Sequence, residues 1–141
     1  MAWESLYTTA ATSSGGGRDG HVRSADGRFD LDTRYPKELG GNGEGTNPEQ
    51  LFAMGYSACY LGAIHAAGKE LGVDTTGAEA TAKVSLGKDE GGFSLAVEIE
   101  TRFPNASAED GQRVADFAHE NICPYSKATR GNIPVTITVS A

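Results

Sequence analysis

Four segments of the sequence alternate apolar and polar residues with a period of two, which is typical of strands with one buried face. The apolar sides of these segments are Phe29, Leu31, Thr33 and Tyr35; Ala80, Ala82, Val84 and Leu86; Phe93, Leu95, Val97 and Ile99; and Ile133, Val135, Ile137 and Val139. Weaker strand patterns cover residues 3–12 and 21–24. Helical spacing occupies the chain between these segments, so the pattern predicts an α+β fold.

The longest predicted helix begins with a strong start signal. Asn47 is a suitable N-cap, Pro48 suits the first helical position, and Gln50 completes a capping box three residues after the cap. The helix runs to Leu71, and Gly72 is a plausible stop. No Asp, Glu, Lys or Arg occurs from Leu51 to Gly68. Small and polar residues interrupt this stretch and no second span follows it, so a transmembrane helix is rejected.

An uncharged helix of this length predicts a second copy of the chain. A helix without a polar face is normally buried on all sides. From Pro48 to Leu71 the helix would extend about 36 Å, close to the diameter of a globule with a radius of gyration of about 14 Å. A single 141-residue chain can hardly wrap such a helix, so we expect a homodimer that buries these helices between two sheets.

Two shorter helices are predicted near the carboxyl terminus. One begins after Ser107, with Asp110 three residues later and Val114, Phe117 and Ala118 on one face. A short helical turn follows at Pro124.

Composition and charge narrow the class of protein. The 141 residues favour one domain, 1–141. Twelve Lys and Arg against 19 Asp and Glu give a net charge of −7, which argues against a nucleic-acid binder, and no basic run suggests a membrane surface. The first residues lack the pattern of a signal peptide, so a cytoplasmic location is expected.

Two cysteines, Cys59 and Cys123, are the candidate chemistry. Their separation excludes a CxxC redox motif and a zinc knuckle. Cys59 lies within the apolar helix, and from its position alone it is interpreted as a small residue of the hydrophobic core. Cys123 precedes Pro124, and a helix N-terminus favours a thiolate, so the local residues favour Cys123 as the more reactive thiol.

A buried thiolate needs a nearby cation, because desolvation favours the neutral thiol. Arg18 is the candidate, since it lies in the glycine-rich segment GGGRDG, whose flexible backbone allows it to reach a site. An exposed loop arginine is the alternative. The segment does not match the phosphate-binding pattern GxxxxGK[ST].

Several motifs together resemble a known family. GGRDG, KELGG, TNPEQLFA, GYSAC and CPYSKATRGNI, with two cysteines in those contexts, are similar to the organic hydroperoxide resistance proteins of the OsmC/Ohr superfamily. The resemblance runs from about Leu6 to the carboxyl terminus. It implies an OsmC-like fold with antiparallel sheets from two chains wrapped around central helices in an intertwined homodimer.

The resemblance also assigns roles to residues. It makes Cys59 the peroxidatic cysteine and Cys123 the resolving cysteine, which reverses the local interpretation. Arg18 would hold the Cys59 thiolate, and Glu49 would orient Arg18. The implied reaction reduces an alkyl or lipid hydroperoxide, with a lipoylated protein or another dithiol as reductant and no metal or organic cofactor.

Helix geometry adds a constraint to these roles. If Glu49 and Cys59 share one unbroken helix, they lie about 15 Å apart along its axis and about 80° apart around it, so they cannot touch. We therefore expect a composite site, with Cys59 and Cys123 from one subunit and Arg18 and Glu49 from the other.

The sequence supports three further expectations. Phe52 and Tyr56 are predicted to bind the apolar part of the substrate. His119 and Cys123 have the i, i+4 spacing of a metal pair, but no further ligand is evident. The competing functions are an OsmC-type peroxidase with a different peroxide preference and a redox sensor without turnover.

Overall fold

A computed structural model describes residues 2–140, which form two compact units, one ending at Pro48 and the other beginning at Glu49. Within residues 2–140, no helix combines the length and the apolar character that crossing a membrane requires.

The amino-terminal unit is built on three short antiparallel strands in the order β1–β2–β3. They are β1 (Ala11–Gly15), β2 (Gly20–Ser24) and β3 (Asp30–Thr33), followed by one turn of 3₁₀ helix at Lys37–Leu39. The turn between β1 and β2 needs glycine at position 20, because a Cβ there would lie 2.2 Å from the Ser14 carbonyl oxygen. The strand predicted over residues 3–12 is largely wrong, since only its last two residues belong to β1.

The predicted buried side of the β3 segment is also mostly wrong within this unit. Thr33 is buried, but Phe29, Leu31 and Tyr35 are exposed by 57%, 36% and 42%. A three-stranded sheet of short strands offers too little surface to cover all of them.

The carboxyl-terminal unit contains the long helix, two shorter helices and a second sheet. Its elements are α1 (Pro48–Leu71), β4 (Glu79–Asp89), β5 (Gly92–Arg102), α2 (Ala108–Phe117), a π-helical turn (Ala118–Ile122), α3 (Pro124–Thr129) and β6 (Val135–Ser140). The predicted bounds of α1 and the start of α3 are confirmed. Ser107 caps α2 as predicted, by accepting a hydrogen bond from the Asp110 backbone N–H at 3.1 Å.

The second sheet has the order β4–β5–β6 and is mixed. β4 and β5 form an antiparallel hairpin, whereas β6 runs parallel to β5. The α+β class is thus confirmed, but the expectation of antiparallel sheets is wrong for this pair. The segment 103–134 between β5 and β6 carries two helices, and such a crossover is what a parallel pairing requires.

The core of this unit lies between one face of the sheet and the helices. Val97 and Ile99 of β5 share a hydrophobic cluster with Tyr60 and Ile64 of α1 and Val114 of α2. The hydroxyl of Tyr60 donates a hydrogen bond to the Ala115 carbonyl oxygen at 2.8 Å, which ties α1 to α2. Burial raises the pKa of Tyr60 far above its ordinary value, so this donor keeps its proton.

One side of α1 remains uncovered within a single chain. Met54 is 50% exposed, and Ala58, Gly62 and His65 on the same side are also exposed. The expectation that a single chain can hardly wrap this helix is therefore confirmed, because one sheet covers one face of a helix.

Phe93 departs from the predicted pattern: it was expected to face inward but is 75% exposed beside Lys88 near the β4–β5 turn.

Candidate active site

The π-helical turn after α2 positions Cys123. The Cys123 backbone N–H donates to the Ala118 carbonyl oxygen at 2.9 Å, an i to i−5 bond, and Pro124 then begins α3. Cys123 is the N-cap of α3, and its Sγ accepts a hydrogen bond from the Ser126 backbone N–H at 3.4 Å. The sequence prediction that Cys123 lies at a helix N-terminus is confirmed.

The fold brings Cys59 of α1 next to Cys123. The two sulfur atoms lie 3.7 Å apart and both cysteines are free thiols. A disulfide bond is about 2.05 Å long, so the sulfurs would approach by less than 2 Å to form one. Cys123 is 1% exposed, whereas Cys59 is half-buried. Of the two thiols, Cys59 is therefore the one that a molecule from solvent reaches more readily.

The surroundings of Cys59 do not favour a thiolate by themselves. Burial is the main cause that raises the pKa of the Cys59 thiol, and the neighbouring Cys123 adds to it. A hydrogen bond from the Tyr125 backbone N–H lowers the pKa but does not outweigh burial. A reactive thiolate at this position therefore needs a cation.

Arg18 and Glu49 occupy different places in the chain. Arg18 lies in the β1–β2 turn of the amino-terminal unit, and Glu49 lies in the first turn of α1; both are half-buried. Because α1 is one continuous helix, Glu49 and Cys59 are separated by about 15 Å along its axis and do not touch. The contribution of Arg18 to the dithiol, in one chain or across two, stays a prediction.

An apolar cavity of about 460 Å³ lies beside the residues that follow Cys123. Phe52 and Tyr125 line it together with Leu95, Pro124 and Ile133. Phe52 was predicted to bind substrate, and it does line this cavity. Tyr56 does not line it: this side chain is fully buried and packs against Phe52 and Tyr125, with ring centroids 6.0 and 5.8 Å away. Direct contact of either residue with a substrate stays a prediction.

A buried cluster of hydroxyl groups next to Cys123 was not anticipated. Ser126 is fully buried, and its Oγ lies 2.8 Å from the Tyr56 hydroxyl and 2.7 Å from Nδ1 of His119. Thr129 lies 3.1 Å from the Tyr56 hydroxyl. The only indication of this cluster in the sequence is that Ser126 follows the N-cap Cys123 by three residues. This spacing does not reveal that Ser126 contacts Tyr56, which lies 70 positions away on α1.

The metal-pair interpretation of His119 and Cys123 gains no third ligand. Among residues 2–140, no group of three or more His, Cys, Asp and Glu side chains is arranged to hold a metal ion. His119 directs Nδ1 at Ser126 instead.

Comparison with known proteins places this chain in a family. Residues 41–138 match the model of the OsmC-like protein family. The organic hydroperoxide resistance protein of Xanthomonas axonopodis pv. citri is 44% identical over 137 residues, which cover 96% of this chain and 95% of that protein.

Solved structures agree with this assignment. The crystal structure of the organic hydroperoxide resistance protein OhrB of Bacillus subtilis is 42% identical, with a TM-score of 0.86 over 96% of this chain and 100% of that one. An organic hydroperoxide resistance protein from Elizabethkingia anophelis is 47% identical, with a TM-score of 0.90 over 98% of this chain and 99% of that one. The chain therefore belongs to the organic hydroperoxide resistance proteins of the OsmC/Ohr family.

Proposed function

We propose that the protein is a thiol-dependent peroxidase that reduces organic hydroperoxides to alcohols through Cys59 and Cys123. Membership in the family implies a role in peroxide detoxification, and the chemistry of this chain is argued from its dithiol. The observation that carries the proposal is the 3.7 Å separation of the two sulfurs, of which the Cys59 side chain is half-buried and the Cys123 side chain is buried.

In the first step, the Cys59 thiolate attacks the hydroxyl oxygen of the hydroperoxide. An S–O bond forms as the O–O bond breaks, and the alkoxide leaves and takes up one proton to become the alcohol. The sulfur is oxidised to a sulfenic acid, while the peroxide gains the two electrons that the sulfur loses.

In the second step, the Cys123 thiolate attacks the Cys59 sulfur. An S–S bond forms, the S–O bond breaks, and hydroxide leaves with a proton as water. Together the two steps convert two thiols and one hydroperoxide into one disulfide, one alcohol and one water. A dithiol reductant, such as a lipoylated protein, would restore both thiols by two exchange reactions and would itself become a disulfide.

Arg18 is proposed to supply the cation that a Cys59 thiolate needs. Because burial raises the pKa of Cys59, a guanidinium beside the sulfur would favour the thiolate and would stabilise the departing alkoxide. Glu49 is proposed to orient Arg18 through a bidentate ion pair.

The apolar cavity supports a preference for organic peroxides. Phe52, Tyr125 and Ile133 would bury an alkyl chain, which hydrogen peroxide does not have. Comparable second-order rates for hydrogen peroxide and cumene hydroperoxide would contradict this preference.

The active form is proposed to be a homodimer. The uncovered side of α1, with Met54, Ala58 and Gly62, is free of charge over most of its length and would be buried by a second copy. This arrangement would also allow Arg18 and Glu49 to reach the dithiol of the other subunit.

Intact mass after one equivalent of an organic hydroperoxide tests the proposed order of the cysteines. We expect wild type to lose two hydrogens, and Cys123→Ser to gain one oxygen as a sulfenic acid that dimedone traps. Cys59→Ser should show neither change. If Cys59→Ser forms the sulfenic acid and Cys123→Ser does not, Cys123 is the peroxidatic residue and the proposed order is wrong.

A steady-state assay with dihydrolipoamide distinguishes the competing functions. Continued turnover of organic hydroperoxides is expected. A protein that stops after one equivalent would be a redox sensor, and one that turns over hydrogen peroxide equally well would be closer to the OsmC-type peroxidases.

A further inference from the structure

The hydroxyl cluster beside Cys123 has a definite hydrogen-bond order. Ser126 Oγ lies between the Tyr56 hydroxyl, at 2.8 Å, and His119 Nδ1, at 2.7 Å. The Tyr56 hydroxyl also lies 3.1 Å from Thr129 Oγ1, which donates to the Ser126 carbonyl oxygen at 3.1 Å. All four bonds lie in the carboxyl-terminal unit.

Counting the protons assigns every donor in this cluster. Each hydroxyl carries one proton, and a carbonyl oxygen can only accept. Thr129 uses its proton on the carbonyl of Ser126, so Tyr56 donates to Thr129, and Ser126 in turn donates to Tyr56. Because the Ser126 hydroxyl has no second proton, Nδ1 of His119 must carry a proton and donate it to Ser126 Oγ.

The same serine also contacts the sulfur of Cys123. Its backbone N–H donates to Cys123 Sγ at 3.4 Å, in the first turn of α3. A shift of Ser126 would therefore move the N–H that stabilises negative charge on this sulfur. The hydroxyl of Ser126 and its backbone N–H connect His119 to Cys123 without direct contact between these two side chains.

We propose that His119 is a positioning residue for Cys123. In its Nδ1–H tautomer, His119 donates to Ser126 Oγ and so holds the Ser126 backbone N–H against the Cys123 sulfur. The proposal rests on the proposed function, because it assigns His119 to the step in which Cys123 closes the disulfide. It adds no covalent step.

The charges around His119 agree with a neutral ring. Burial is the main cause that lowers the pKa of His119, and the guanidinium of Arg130 also lowers it, while Glu120 and Asp116 act in the opposite direction. Arg130 approaches from the end of α3 and donates to the His119 carbonyl oxygen. The Nδ1–H donor is present in both the neutral ring and the imidazolium, so the bond to Ser126 persists when His119 is protonated.

The first test reads the tautomer directly in the wild-type protein. A long-range ¹H–¹⁵N spectrum of reduced protein, recorded above the pKa of His119, distinguishes a protonated Nδ1 from a protonated Nε2. We expect the Nδ1–H form. A neutral ring that carries its proton on Nε2 would overturn the proposal without any mutation.

The second test separates closure of the disulfide from formation of the sulfenic acid. After one equivalent of cumene hydroperoxide, His119→Leu should form the sulfenic acid at the wild-type rate but close the disulfide about tenfold more slowly, because Ser126 loses a buried donor. His119→Asn should restore closure to within about threefold of wild type, since its amide N–H can occupy the place of Nδ1–H.

A matched control removes a similar histidine bond elsewhere. His65 Nδ1 lies 2.8 Å from Thr75 Oγ1, outside the hydroxyl cluster. Thr75→Ala removes this bond and leaves His65 on the uncovered side of α1 unchanged, so it should close the disulfide at the wild-type rate. Closure by His119→Leu at the wild-type rate, or closure by His119→Asn as slow as by His119→Leu, would overturn the proposal. If the wild-type protein forms no disulfide with cumene hydroperoxide, the proposed function itself fails. The wild-type measurement comes first, so this failure is distinguished from a failure of the role of His119.

Discussion

Cys59 and Cys123 differ in ways that neighbouring residues indicate only in part. The sequence around Cys123 predicts an N-cap cysteine, and the structure confirms that position. The structure adds that each sulfur receives a backbone N–H, from Tyr125 for Cys59 and from Ser126 for Cys123. A helix N-terminus therefore does not by itself distinguish the two thiols, and the greater exposure of Cys59 favours it for the first encounter with peroxide.

Removal of the Arg18 charge should shift the pH dependence of the first step. Burial raises the pKa of Cys59, and a cation opposes that shift, so Arg18→Gln should move the rate profile for peroxide reduction to higher pH. At pH 7 the rate should fall about tenfold or more, because less thiolate is present. The measurement is the second-order rate constant with cumene hydroperoxide from pH 5 to 10.

Arg23→Gln is the matched control for Arg18→Gln. It removes the same charge from the amino-terminal unit, at an exposed position on β2, and should leave the pH profile unchanged. Identical profiles for Arg18→Gln and wild type would show that another group stabilises the thiolate.

At the scale of elements, α2 and the π-helical turn hold the position of Cys123. α2 packs closely on the sheet at Gly111, where an added Cβ would lie 2.7 Å from Phe103 Cδ2 and 3.1 Å from Val139 Cγ1. Phe103 is 2% exposed and has little room to move. The close approach of α2 to the sheet at this point therefore depends on the absence of a side chain.

Gly111→Ala should destabilise the protein despite the better helix propensity of alanine. We expect the free energy of unfolding to fall by about 1–3 kcal/mol from overpacking, measured by urea denaturation. Gly87→Ala on β4 is the control, because nothing lies within 4 Å of a Cβ at that position. A Gly111→Ala protein as stable as wild type would mean that the sheet and helix separate at little cost.

The whole molecule raises the question of whether one chain holds a complete site. Arg18 and the dithiol belong to different units of the chain, and the uncovered side of α1 favours a second copy. A composite site across the dimer and a site within one chain make opposite predictions for mixed dimers.

A mixed dimer of Cys59→Ser and Arg18→Gln tests the composite site. If Arg18 acts across the interface, one of the two sites in the mixed dimer contains both Cys59 and Arg18, so about half of the wild-type activity should return. Co-expression with two different affinity tags yields the mixed dimer, and its peroxidase activity is compared with that of each parent.

The control is a mixed dimer of Cys59→Ser and Arg23→Gln, which should retain about half of the wild-type activity in either arrangement. If the mixed dimer of Cys59→Ser and Arg18→Gln, verified by mass, recovers no peroxidase activity, then Arg18 and Cys59 of the same chain form one site.

The sequence by itself determined the local elements of the carboxyl-terminal unit and the family. Capping residues and helical spacing are local signals, so the bounds of α1, the cap of α2 and the start of α3 were all predictable. Period-two alternation likewise located β4 and β5, although it did not indicate that β6 pairs parallel to β5.

The tertiary structure decided what depends on distant segments of the chain. The 3.7 Å approach of the sulfurs joins residues 64 positions apart, and the bonds of Ser126 to Tyr56 and His119 join three elements. The same holds for burial: Phe29, Leu31 and Phe93 alternate like core residues but remain exposed, because the surface that would cover them is absent from their unit. Local patterns specify the direction in which a side chain points, whereas tertiary packing determines which residues it contacts.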